Sequence, residues 1–374
     1  MLRPKCRQVT GVDGVSAVRQ GHVRSHHPTG AVMQTTAPGI GRRTLLALLG
    51  LTGVAALVRP SRAAAATNTT VAGQELTAIA ANPSFAFATD LAGTAGSGET
   101  SPIDTAYWLG TYEVTNAQYL EFVTDSGRDA PSYWDGGTYP DGKADHPVLE
   151  VSLDSATAYC AWLTGQADAD GWTFRLPTEA EWENAASGPD ALTYPWGETA
   201  GTTYADLVLA SNYNYMAVCA AYELAEHGDE SATYTATGSD LYGQSFPISE
   251  ILSIGSTGTV SGWNITASRT GFIYTDVYDA LTDTGGYTTP VATYPGGVSA
   301  DGVWDLCGNC WEWTTSVITA THGGEMGQQV NAIRGGSWYA NLNSCTAIYR
   351  GEGRDPSGRY PTVGFRVAAT EQSG

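Results

Sequence analysis

Three cysteines near the C-terminal end carry the plainest chemical potential in this chain. Cys307-Gly308-Asn309-Cys310 forms a C-x-x-C pair, and Cys345 follows eleven residues after the Arg334 of an R-G-G-S-W stretch. A thiolate can act as a nucleophile, a redox group or a soft-metal ligand. The C-x-x-C spacing lowers a thiol pKa when it sits at a helix N-terminus, but here it opens a W-E-W stretch. A zinc site would ask for a second pair, which is missing. A structural disulfide, within the pair or from Cys307 or Cys310 to Cys345, is therefore expected ahead of redox catalysis. Arg350, Arg354, Arg359 and Arg366 lie nearby among many acids and are expected to pair with carboxylates through their planar forks. His146, His227 and His322 show neither an H-E-x-x-H nor a facial-triad pattern.

Short elements must position these residues. Thr115-Asn116-Ala117-Gln118 reads as a capping box that opens a helix with Tyr119, Phe122 and Val123 inward. Asp154 or Ser155 is expected to cap a second helix, which buries Ala156, Tyr159, Cys160 and Leu163 and stops near Gly165. Thr178 and Glu181 form another capping box, followed by Trp182, Ala185 and a stop at Gly188. Strands are expected around Trp108–Val114 and Thr362–Val367. With 45 glycines, 17 prolines, 11 tryptophans and 20 tyrosines, the chain calls for many turns packed on bulky aromatics.

Charge divides the 374 residues. Residues 1–66 hold nine of the 18 Lys and Arg and one of the 38 Asp and Glu; the remainder, with nine basic and 37 acidic residues, carries −28. So acidic a body excludes nucleic acid and anionic membrane as natural partners and suits cation binding. Arg42-Arg43 before the apolar run Leu45–Val58, with an A-x-A site within Ser61–Ala66, reads as a twin-arginine export signal, with Met33 as an alternative start. The apolar run is too short for a comfortable membrane span. The expected product is exported to periplasm, envelope or medium and is monomeric. Its boundaries are a leader over 1–66, a lead-in over 67–100, and one domain over 101–370.

Eight motifs follow in order across that domain: TYEVTNAQYLEF, HPVLEVSLDSATAYCAW, RLPTEAEWENAA, YPWG, SNYN, GNCWEW, RGGSW and GFRV. The set resembles the formylglycine-generating enzyme family, also called the sulfatase-modifying-factor family, over nearly the whole mature chain. The resemblance implies an α+β, irregular C-type-lectin-like fold of the formylglycine-generating enzyme type with little regular secondary structure. It also implies oxygen-dependent oxidation at a copper ion held by two cysteines on the strand after RGGS. Cys345 matches the second of these, and Ala340 stands where the first belongs. Ser337 and Trp313 match residues that line the family's active site.

The resemblance further implies structural calcium. One family site, built from backbone oxygens of the turn and the side chain of the following Glu, maps to Asn309, Cys310 and Glu312, with a buried Glu312–arginine pair as the competing reading. A second maps to Asn212, Tyr213 and Asp283. Cys160 matches a position often disulfide-bonded to a cysteine after GFR, but Val367 stands there, so Cys160 is expected to be a small buried thiol. Residues 214–282 exceed the usual family loop; their Thr/Tyr/Ile patches suggest extra β-hairpins, either surface decoration or a specificity lid. The functions that follow are oxidation of a peptide or secreted small molecule at a variant site, a non-catalytic lectin-like binding module, or authentic sulfatase maturation. Ala340 argues against the last.

Overall fold

A computed structural model describes residues 67–89, 98–199, 285–286, 288–340 and 344–372, together with the backbone of 233–235 and 245–247. Among these, eleven strands and three α-helices are arranged as a five-stranded sheet, a four-stranded sheet and an isolated two-stranded ribbon. Among the described residues no helix is long and apolar enough to cross a membrane. The expected irregular α+β fold is what is observed, with short elements and long connecting turns. The leader over 1–66 and its export signal lie outside the described residues.

The first sheet has the order β1-β2-β3-β11-β4, built from Asn68–Val71, Gln74–Ile79, Tyr107–Gly110, Ala368–Glu371 and Trp172–Arg175. The last strand is thus inserted between β3 and the edge strand β4, antiparallel to both neighbours. Residues 68–79 of the expected lead-in reach into the domain itself, because β1 and β2 extend its sheet. The second sheet has the order β10-β7-β8-β9, from Val363–Gly364, Trp311–Thr319, Gln329–Arg334 and Gly353–Arg354. The register of β7 on β8 shifts between Trp313 and Val317, so the W-E-W end faces the interior while the far end of β7 alternates outward. The two expected strands are shorter than the sequence suggested: one ends at Gly110, the other is split into β10 and β11 around Phe365-Arg366-Val367.

The helices form where the capping chemistry places them. Helix α1, Asn116–Ser126, has the Thr115–Gln118 capping box and ends at Gly127 in the left-handed conformation. Helix α2, Leu153–Thr164, is capped by Ser152, which accepts from the Ser155 amide; the expected caps Asp154 and Ser155 lie in its first turn. Ser152 wins because its extended backbone leaves the hydroxyl free to reach that amide. Helix α3, Glu179–Ser187, keeps the Thr178–Glu181 box. Tyr119, Phe122, Tyr159 and Phe365 interlock edge-on or stacked at 5.3 to 6.2 Å and form the centre of the core. Cys160 is buried there, and burial pushes its thiol pKa up. The strands Thr233–Thr235 and Ser245–Pro247 pair antiparallel, as the patterning of 214–282 suggested.

Candidate active site

Two turns meet beside the W-E-W strand. In the turn Gly335-Gly336 both glycines have positive φ, 94° and 77°. A Cβ on Gly336 would fall 2.4 Å from the Cys345 sulfur, so only glycine lets Cys345 lie against this turn. The Cys345 thiol donates weakly to the Ser337 carbonyl at 3.8 Å, and the Ser337 hydroxyl accepts from the Tyr339 amide at 3.2 Å. The indole of Trp313 donates to the Val151 carbonyl at 2.8 Å. Cys345, Ser337 and Trp313 are 0%, 1% and 0% exposed.

The second turn, Cys307–Cys310, is fastened to the first. The Gly308 amide donates to the Gly335 carbonyl at 2.8 Å, and the Trp338 amide to the Asn309 carbonyl at 3.0 Å. Its cysteines diverge. Cys310 donates its thiol (3.2 Å) and its amide (3.3 Å) to Glu113, whereas Cys307 lies within electrostatic reach of Cys345. The expected disulfide is not formed: Cys160, Cys307, Cys310 and Cys345 are all thiols. Burial pushes the Cys307 and Cys310 thiols well up, with the neighbouring Cys345 and Glu113 respectively as the next cause. Neither is primed as a solvent-facing nucleophile.

Beneath the turns sits an arginine centre. Arg366 donates Nε and Nη2 to the two oxygens of Glu312 at 2.6 and 2.7 Å, Nη1 to the Gly110 carbonyl at 3.0 Å, and Nη2 to the Trp304 carbonyl at 2.9 Å. The Trp182 indole adds a third donor to Glu312 at 2.7 Å. Glu113 and Asp305 complete the cluster. Desolvation, then Asp305 and Glu312, raises the Glu113 carboxyl well above its usual range, and desolvation pushes Asp305 up to about 6. The sequence reading missed Glu113 and Asp305. Each is an acid embedded in an apolar motif, TYEV and WDLC, and that pattern was the available signal.

A parallel centre holds the other face. Arg334, also buried, donates to Glu179 at 3.1 Å, Glu183 at 2.7 Å and the Ala347 carbonyl at 2.7 Å. Its guanidinium lies 5.2 Å from the Trp182 ring. Among the described residues its Nε has no hydrogen-bond partner. The expected carboxylate pairing also holds for Arg350 with Glu179 and Arg354 with Glu352. Arg359 instead donates to the Ala130 carbonyl.

For calcium, the resemblance assigns backbone oxygens at Asn309 and Cys310 and the side chain of Glu312, and the Asn309 carbonyl accepts from the Trp338 amide at 3.0 Å. Glu312 accepts three N–H donors; Asn309 accepts from the Thr289 amide at 2.9 Å and donates to Glu113 at 2.6 Å. Calcium asks for six to eight oxygens, and at Glu312 an ion would compete with the Arg366 and Trp182 donors. Among the described residues no three His, Cys, Asp or Glu side chains group to hold a metal. Asn212, Tyr213 and Asp283 lie outside the described residues. For copper, Ala340 offers no ligand atom, but Cys345 and Cys307 are soft donors in a shared buried setting, so the donor chemistry fits.

The sulfatase-modifying factor enzyme 1-like domain matches residues 84–231 and 232–371. With the sheet order, the RGGS and W-E-W turns and the Arg366–Glu312 pair, this places the chain: it belongs to the sulfatase-modifying-factor family. It is 24% identical over 319 residues to the formylglycine-generating enzyme of Bos taurus, covering 71% of this chain and 66% of that protein. It is 24% identical over 279 residues to the hercynine oxygenase of Mycobacterium tuberculosis, covering 62% and 45%. It is 25% identical over 232 residues to the inactive C-alpha-formylglycine-generating enzyme 2 of Bos taurus, covering 61% and 51%. The chain thus spans less than two thirds of the length of each of these relatives. Among solved structures, PvdO from Pseudomonas aeruginosa superposes with a TM-score of 0.50 at 18% identity, covering 81% of this chain and 98% of that one.

Proposed function

We propose that this chain is an exported oxidoreductase of the family, acting on a peptide or secreted small molecule at a variant centre around Cys345 and not at the family's own cysteine pair. One observation carries the reading: Cys345 is kept beneath Ser337, against Gly336, while Ala340 removes the other thiol. Relatives named formylglycine-generating enzyme and hercynine oxygenase support the oxidative class. Copper, when bound, would supply one-electron chemistry with oxygen. The chain's own part is positional. Gly336 admits the sulfur, Ser337 orients it, and the buried wall including Trp313 excludes water.

The test is oxygen uptake by copper-supplemented protein offered cysteine peptides, alongside an aldehyde assay. Uptake above that of Cys345→Ser, with no formylglycine aldehyde, is the expected result. Aldehyde formation that is lost in Cys345→Ser would mean that one family cysteine suffices for sulfatase-type maturation.

A second reading rests on burial. Cys345, Ser337 and Trp313 are closed off, as in a module that has kept the frame without the reaction, and relatives named inactive formylglycine-generating enzyme 2 are compatible with it. Oxygen uptake equal to that of Cys345→Ser would decide for this binding or structural role.

A further inference from the structure

We propose that the cavity beside the outer half of β7 is a second binding site, which takes an extended peptide segment bearing a lysine or arginine. The cavity measures about 580 Å³ and is lined by residues 101–105, 178–181 and 316–318 together with Phe87, Glu99 and Arg350. Cys345, Ser337 and Trp313 are not among them, so this is a site apart from the sulfur pocket. Its occupant is defined by an open edge, an aliphatic surface and charge. The edge belongs to β7. β10 accompanies that strand only at Trp311 and Glu312, whereas β8 follows it to Thr319. The Thr315 amide donates to the Pro177 carbonyl and the Glu179 amide to the Ser316 hydroxyl, both at 2.9 Å. Beyond these contacts Val317 and Ile318 run along the cavity, and among the described residues no strand pairs with them on the β10 side. An edge of this kind accepts an extended chain through main-chain hydrogen bonds.

Val317 is 64% exposed, and Pro102 and Ile318 border the same space, so a long side chain finds aliphatic surface for its stem. Four carboxylates line the cavity, those of Glu99, Asp104, Glu179 and Glu181, against the single cation of Arg350. Glu179 is bonded to Arg334 and Arg350, and Glu181 to Arg175. Arg350 is further committed to the Phe87 ring, 3.4 Å from its centroid. That leaves two acids to meet a ligand: Glu99, whose side chain is 61% exposed and 3.6 Å from Arg350, and the exposed Asp104. The surplus of negative charge attracts a cation and repels an acidic chain. A lysine or arginine, with an aliphatic stem and a charged head, uses both the surface and the charge. A wholly apolar segment uses one, and an acidic segment is opposed by the other.

The experiment is fluorescence anisotropy of labelled, end-blocked pentapeptides titrated with the full chain. A peptide with lysine between two valines is expected to bind with a Kd on the order of 10–100 µM, and more weakly as salt rises. Glutamate in place of that lysine should weaken binding by more than about tenfold. The double variant Glu99→Gln with Asp104→Asn, its folding checked by melting curves, should weaken the lysine peptide by about tenfold. Methylating alternate peptide amides needs no protein variant. It should abolish binding in one register and spare it in the other, since only every second amide faces a neighbouring strand. No binding up to about 1 mM, equal binding of the lysine and glutamate peptides, or an unchanged Kd in the folded double variant would overturn the proposal. So would indifference to both methylation patterns, or full displacement by n-butylamine, which would make this a site for free amines. Peptide binding without oxygen uptake would leave this site standing and remove the proposed activity; oxygen uptake without peptide binding would do the reverse.

Discussion

The arginine centre and the sulfur pocket lie on the two sides of one turn, Cys307–Cys310, and they are built on opposite principles. At Arg366 all three guanidinium nitrogens are bonded, and Glu312 returns both oxygens while accepting from Trp182 as well. At Cys345 the thiol donates to the Ser337 carbonyl at 3.8 Å and lies against a glycine. The first is saturated and immovable. The second is set by close packing on a glycine. The contrast teaches where the fold is secured and where chemistry has room to vary: the loss of a family thiol at Ala340 leaves the arginine centre untouched.

The largest effect should follow from breaking the saturated side. Glu312→Ala leaves Arg366 buried without its carboxylate, which costs about 3–5 kcal/mol because an uncompensated charge remains in the interior. Urea unfolding should show that loss or an unfolded product. A loss below about 1 kcal/mol, the range of an exposed ion pair, would mean that water reaches this site and that the two sides do not differ as argued.

On the sulfur side the tightest point is Gly336. Gly336→Ala adds a methyl that meets the Cys345 sulfur and asks an alanine to hold φ near 77°. The expected cost is about 2–4 kcal/mol, from strain and overpacking together. Pairing it with Cys345→Gly should recover the packing part. No recovery would place the cost in the backbone alone and weaken the claim that shape holds Cys345.

A smaller and pH-dependent effect belongs to Asp305. Its folded pKa, pushed up to about 6 by desolvation, lies above the 3.8 of a free aspartate side chain. A carboxyl raised in this way adds stability that is fully present below the unfolded pKa and is lost as pH rises through the folded one. Asp305→Asn keeps an acceptor for the Ala292 amide and removes the titration. The variant should therefore gain on the parent between pH 4 and pH 7. Parallel stability curves over that range would show that Asp305 does not titrate in the fold as its burial requires.

The helices were legible because capping is local: the Thr115–Gln118 and Thr178–Glu181 boxes are written in four residues each. Ser152 was missed as a cap because three adjacent polar residues compete, and only backbone direction chooses among them. The motif order was enough for the fold. The site was legible only in part. That the Cys307–Cys310 turn lies beside the RGGS turn depends on a hydrogen bond between residues 27 apart, Gly308 to Gly335. Glu113 meets Asn309 across 196 residues. The pairing of Glu312 with Arg366 spans 54 residues, and nothing in either motif alone states it.

The smallest effect sharpens the comparison on the saturated side. A family calcium site maps to Asn309, Cys310 and Glu312, and an ion there must take oxygens that protein donors already hold. Glu312 would have to release Arg366 or Trp182, and the Asn309 carbonyl would have to release or share the Trp338 amide. The cost of stranding Arg366 then works against the ion. A ligand stabilises the fold only by binding the folded state, so treatment with a calcium chelator should leave the melting temperature of the parent unchanged. If chelation lowers it, calcium restores it, and Asn309→Ala removes the response, then the ion does displace these partners. In that case the turn is held by a cation and not by the arginine, and the saturated side of the molecule has a second state.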